Sequence, residues 1–102
     1  LDQSTRDLLN RGEKLMEILK QGQYKPMPVE EEVVALATID SVLDVETGDV
    51  RRFEEELVQY MRDHQGDLLK DIRESGDLSD ENAEKLNESI ASFKATFRGS
   101  AN

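Results

Sequence analysis

The chain has no cysteine and no tryptophan, two prolines, one histidine and five aromatic residues in all. Without Cys, disulfides and thiolate chemistry are excluded, which is weakly consistent with a reducing compartment. The lone histidine, His64, lies on a helical stripe with no nucleophile placed beside it, so packing or solvation describes it better than metal binding or acid–base work. No apolar run approaches the roughly 20 residues that a bilayer span requires, and no signal peptide opens the chain. The sequence reads as soluble by itself, without direct membrane insertion. Basic residues are outnumbered 13 to 23, for a net charge of −10, so net attraction to nucleic acid or anionic lipid is excluded and a basic protein surface is the better match. Nucleotide machinery is missing too. There is no G-x-x-x-x-G-K-[ST] sequence, no glycine-rich strand-to-helix turn and no strand signal, hence no phosphate cradle and no means of hydrolysing ATP unaided. The many carboxylates could be paired on paper as in a glycosidase, but helical spacing puts most on outer faces and no aromatic cleft accompanies them.

What remains is helix. Leu, Ile, Val and Phe number 26 among 102 residues, above the level at which disorder becomes the default and enough for one small domain over 1–102. The expected fold is all-α, a small bundle of about five helices. Leu8, Leu9, Leu15, Met16, Ile18 and Leu19 recur at three- and four-residue spacing, the mark of a first helix with one apolar face. Asp2 or Ser4 could cap it, and Gly22 reads as its stop. Gly12 sits mid-helix, where it costs about 1 kcal/mol relative to Ala; close approach of another backbone, from this bundle or from an absent domain, is the preferred explanation. A second helix is expected from about Val29 to Leu43, burying Val29, Val33, Leu36, Ala37 and Val34. Nearly apolar from Val33 to Ile39, it reads as the central element of the bundle. Val50, Phe53, Leu57, Tyr60, Met61 and His64 define a third helix, with Arg51–Glu55 and Arg52–Glu56 as outer i,i+4 pairs. Gly66 breaks the pattern; Leu68, Leu69 and Ile72 support a fourth helix stopped by Gly76. Ala83, Leu86, Ile90, Phe93 and Phe97 form the stripe of the last, with Glu81–Lys85 paired outside and the end after Arg98 expected to fray.

Two acidic stretches compete for a functional reading. Asp77, Ser79, Glu81 and Glu88 stand at intervals that faintly resemble a calcium loop, yet Asn82 occupies the place of the glycine at its sharp turn. Helix capping accounts for them better: Ser79 as N-cap, Asp80 and Glu81 in the positive first turn, Leu78 reaching Ala83 as a hydrophobic staple. The other stretch, 40–49, carries Asp40, Asp44, Glu46 and Asp49 and ends in turn formers. It reads as a helix–turn–helix tip, and by composition alone as a solvated acidic loop.

The link Gln21-Gly22-Gln23-Tyr24-Lys25-Pro26-Met27-Pro28 is stiffened by two prolines that push Lys25 and Met27 into extended backbone. Pro28 followed by Glu30, Glu31 and Glu32 suits a helix start. Leu19 to Tyr24, Pro26-Met27 and Val29-Glu30-Glu31 resemble the C-terminal helical domain of the α subunit of F-type ATP synthases, with a bacterial leaning. Leu1-Asp2 with Thr5-Arg6 and Arg11-Gly12, Val50 to Glu54, and Ser92-Phe93-Lys94 extend the likeness in register over essentially the whole chain. Beginning at Leu1 rather than Met, the chain reads as a piece of a longer protein. The family departs from it at Pro28, often Ser, and at Ser41-Val42-Leu43-Asp44, often Gly-Tyr-Leu-Asp.

The resemblance implies a domain that is non-catalytic by itself, packed against the remainder of the α subunit and neighbouring β subunits. The parent complex lies peripherally on the cytoplasmic face of the bacterial plasma membrane and makes ATP from ADP and phosphate using a proton gradient, with catalytic sites mainly on β. No cofactor is implied in this stretch; ATP or ADP with magnesium belongs to the full α subunit. The resemblance places Gln21 and Gln23 beside the adenine of its non-catalytic nucleotide, where an amide offers donors and an acceptor to a base edge. It also turns the 40–49 tip, with Asp40, Ser41, Asp44, Glu46 and Asp49, toward the rotating γ shaft. The alternative is a free-standing acidic helical adaptor for a basic protein partner.

Overall fold

The computed structural model describes residues 2–24 and 26–98, except for the side chains of 21–24. Its regular elements are five helices: α1 (Gln3–Tyr24), α2 (Val29–Ala37), α3 (Thr47–His64), α4 (Gly66–Ser75) and α5 (Asp80–Thr96). The expected all-α bundle is therefore observed.

Local chemistry explains most boundaries. The Asp2 carboxylate accepts the Thr5 N–H at 2.8 Å and starts α1. Ser79 Oγ accepts the Asn82 N–H at 3.1 Å and starts α5, with Asp80 and Glu81 in the first turn as expected. Pro28 opens α2 without a side-chain cap. Three glutamates in the first turn compensate, and two of them are tied across the bundle: Arg62 of α3 grips Glu31 through two nitrogens at 2.7 to 3.1 Å, and Arg73 of α4 approaches Glu30 at 3.8 Å. Gly76 closes α4 in the left-handed conformation, φ +67°, where a Cβ would be strained.

Three expectations are corrected. Helix α1 continues through Gly22 to Tyr24 rather than stopping there. Helix α2 ends at Ala37, six residues short of Leu43, because Thr38 turns the backbone: its hydroxyl and N–H both reach back to Ala35 O. The break after α3 falls at Gln65, whose non-helical backbone (φ −132°, ψ 39°) separates two helices, and Gly66 already belongs to α4.

The centre also differs. Helix α3, not α2, packs against α1, α2, α4 and α5. Val50, Phe53, Leu57 and Met61 are completely buried along one side of it, while Tyr60 is half-buried and His64 exposed. Phe53 meets Phe93 and Phe97 edge-on, with centroids 5.1 and 4.9 Å apart, and Arg52 lies over the Phe97 ring at 4.4 Å. On α2, Val34 and Ala35 are buried, whereas Val29 and Leu36 face out at about half exposure, 51% and 47%. Its short length leaves only one inward turn.

Phe53→Ala removes the side chain around which α3 and α5 close. The expected cost is about 3–5 kcal/mol, read as a lower urea midpoint with the slope unchanged.

Candidate functional site

Two surfaces stand out, one apolar and one acidic, and both depend on how α1 is turned. On a 3.6-residue helix, Leu8, Leu9, Gly12, Leu15, Met16 and Leu19 fall within an arc of roughly 120°. The three- and four-residue spacing marks this as the apolar face of the helix. It is exposed: Leu8 70%, Leu9 58%, Met16 63% and Leu19 57%, with Leu15 at 37%. The opposite side of α1 meets α3 and the tip, with Ile18 as its buried apolar contact. Lys14, also buried, donates from Nζ to Thr47 Oγ1 at 2.8 Å. A Cβ at Gly12 would meet no atom within 4 Å, so no backbone of this bundle approaches it, and of the two expected sources of close approach this one is corrected.

The acidic surface is the turn between α2 and α3. The same inward side of α1 stitches it down. Asn10 Nδ2 donates to Leu43 O at 2.9 Å, Arg11 pairs with Asp40, and the Thr47 hydroxyl donates to Glu13 at 2.9 Å. From the other flank, Lys94 of α5 donates to Asp44 at 2.7 Å. Val42 is completely buried beneath the turn, and that anchor explains why the tip does not project as a free loop.

Of the tip residues singled out by sequence, Asp40, Asp44 and Glu46 are exposed, Ser41 is half-buried and Asp49 is buried in the first turn of α3. The Lys94 hydrogen bond holds the Asp44 carboxyl below the ordinary carboxylate value. Its small contribution is thus present at neutral pH and is lost as pH falls through that lowered value. Both tip ion pairs carry carboxylates with three-quarters of their surface in water, so each contributes at most about 1 kcal/mol and can be exchanged for another cation.

Gln21 and Gln23 fall on the last turns of α1, not on a link after it; their side chains lie outside the described residues. They are remote in sequence from the tip, and no described contact joins the two sites.

An open groove of about 700 Å³ runs between α3, α4 and α5, with Asp67, Asp71, Lys85 and Glu88 around it. Its inner polar groups are bonded to one another, Asn82 to Asp71 and Ser89 to Lys85 O, so none converges on a ligand. No group of acidic or histidine side chains among the described residues could hold a metal ion, and no described helix is long and apolar enough to cross a membrane. Sequence reasoning missed the Glu54–Thr38 contact: Glu54 is completely buried, and burial pushes its carboxyl up to about 8, against the Thr38 hydrogen bond, which pulls it down. In the sequence Glu54 stands among three consecutive glutamates, and only its register beside Phe53 and Leu57 could have marked it as inward.

The family model described as ATP synthase alpha/beta chain, C terminal domain, matches residues 1–93. Among curated proteins, ATP synthase subunit alpha of Thermobifida fusca is 46% identical over 102 residues, 98% of this chain and 19% of the relative. The Mycobacterium leprae (strain Br4923) subunit alpha is 50% identical over 99 residues, covering 95% and 18%; that of Streptomyces griseus is 41% identical, covering 98% and 20%. The chain therefore spans about a fifth of the length of these relatives.

Proposed function

The protein belongs to the family formed by the C-terminal domains of ATP synthase alpha and beta subunits, and from that premise we propose that it works as a non-catalytic packing module of an α subunit. The observation that carries this reading is the outward apolar stripe of α1. Five large apolar side chains exposed on one helix face make a patch of the kind that marks an interaction surface. The rest of the α subunit is the natural cover, since relatives carry about four-fifths of their length outside the matched region. Gly12, at the centre of the stripe with nothing over it, would let a covering helix come close. The adaptor reading offers no reason for such a stripe.

The remaining roles follow from the same membership. The assembled enzyme would make ATP from ADP and phosphate using a proton gradient, peripherally on the cytoplasmic face of the membrane, with β subunits holding most of the catalysis. The tip would face the γ shaft with Asp40, Asp44 and Glu46 in contact, while Ser41 and Asp49 shape the turn from within. Opposite charge guides such a contact, and exposed pairs are weak enough to exchange as a basic shaft slides past. Gln21 and Gln23 would lie at the adenine of the nucleotide held by the missing portion of the α subunit, with its magnesium.

Three measurements test these assignments. Leu8→Gln, Met16→Gln and Leu19→Gln together should leave the helicity and urea midpoint of the 102-residue protein nearly unchanged, because these side chains are mostly exposed. In the complete α subunit the same changes should lower recovery of assembled complex by tenfold or more, given about 1.5–3 kcal/mol for each buried side chain; normal assembly would remove the packing role. Asp40→Asn, Asp44→Asn and Glu46→Gln should change the salt sensitivity of ATP-driven rotation in the assembled enzyme, and an identical salt profile would count against the γ contact. Gln21→Ala with Gln23→Ala should speed loss of the tightly held nucleotide from the complete α subunit, whereas unaltered retention would contradict the adenine assignment.

A further inference from the structure

The junction of α2 and α3 holds a carboxylic acid that none of these roles uses. Glu54 and Thr38 are both completely buried. The Thr38 hydroxyl has one proton, yet two oxygens lie within hydrogen-bonding reach of it, Ala35 O at 2.6 Å and Glu54 Oε1. One proton cannot serve both acceptors. A protonated Glu54 resolves the conflict, its O–H donating to Thr38 Oγ1 while Thr38 donates to Ala35 O. The second carboxyl oxygen, Oε2, is buried without a partner among the described residues, a far smaller cost for a neutral acid than for a carboxylate.

Several charged groups on the surrounding helices are bonded to other partners. Lys14 of α1 donates to Thr47 and Glu13 accepts from it. Glu31 of α2 is held by Arg62, and Arg73 of α4 lies by Glu30. Lys94 of α5 is bonded to Asp44. Burial dominates at Glu54, and its one hydrogen-bonding influence is Thr38.

Thr38 is also the hub of the turn. Its N–H donates to Ala35 O at 3.2 Å, and its carbonyl accepts the N–H groups of Ser41 and Val42 at 2.7 and 3.1 Å. We propose that Glu54 is held as a neutral acid whose proton latches the 38–46 turn onto α3, so that raising the pH unlatches the turn. An ionised Glu54 would need the Thr38 proton, taking it from Ala35 O, and would leave a buried charge with no cation beside it among the described residues. Opening the turn to water is the available relief. The sign follows from linkage. Between the ordinary glutamate value and about 8 the folded protein holds a proton that the unfolded one has released, so stability falls as pH rises through that window and levels off above it. The latch stands whether or not the tip meets a partner.

The test is a ¹³C-glutamate NMR titration of the 102-residue protein, paired with urea unfolding of the protein and of Glu54→Gln. The Glu54 Cδ resonance should titrate near 8, apart from the exposed carboxylates. The unfolding constant of the unaltered protein, divided by that of the variant, should rise by up to about tenfold per pH unit between pH 5 and 8. Amide exchange at Ser41 and Val42 at pH 9 should be faster in the unaltered protein than in the variant. Titration of Glu54 together with the exposed carboxylates, or a ratio independent of pH, overturns the proposal. Should Glu54→Gln fail to fold, the Cδ titration alone decides it.

Discussion

The structure depends on a single apolar stripe, Val50, Phe53, Leu57 and Met61, running the length of α3 without exposure to water. A protein of this size has room for one core, and among the described residues α3 packs against all four other helices. Its position follows from length and phase together. Eighteen residues give the stripe enough turns to meet α1, α2, α4 and α5. The nine-residue α2 is more apolar on average but too short to organise four neighbours.

Helix α1 is attached by different physics. Its contact side offers Ile18 and the stem of Lys14, and polar groups do much of the joining, through Asn10, Arg11, Glu13 and Lys14 to the turn and the start of α3. Such bonds fix orientation well but contribute little net stability each. The helix that is longest and richest in outward leucine is thus held on one side by polar contacts, while its apolar side remains available. A module completed by a larger protein accounts for that division, and the same polar contacts shape the acidic turn. The two surfaces are therefore mechanically connected: tilting α1 would pull on Leu43 and Asp40.

Charge is distributed to match. The surplus of acid lies on outer faces, with exchangeable partners at the tip. Where carboxylates go inside they are handled in two ways. Glu31 receives an Arg62 guanidinium through several hydrogen bonds, while Glu54, with no cation beside it among the described residues, answers burial by holding its proton.

Much of this was legible in the residues. Three- and four-residue spacing marked the helices, Ser79 and Gly76 ended or began them where short-range chemistry required, and the stripe of α3 was read almost residue for residue. Matches separated along the sequence also carried the family. What spacing could not decide was which way an apolar face turns. Leu8, Met16 and Leu19 form the same pattern whether they meet a core or water, because periodicity records a face and not its neighbour. Burial of Glu54 among three glutamates and the tying of the tip by Arg11 and Lys94 rest on contacts between residues 16 to 50 positions apart. Local sequence determined the helices; only their packing decided which carboxylate lost its water and which leucines kept it.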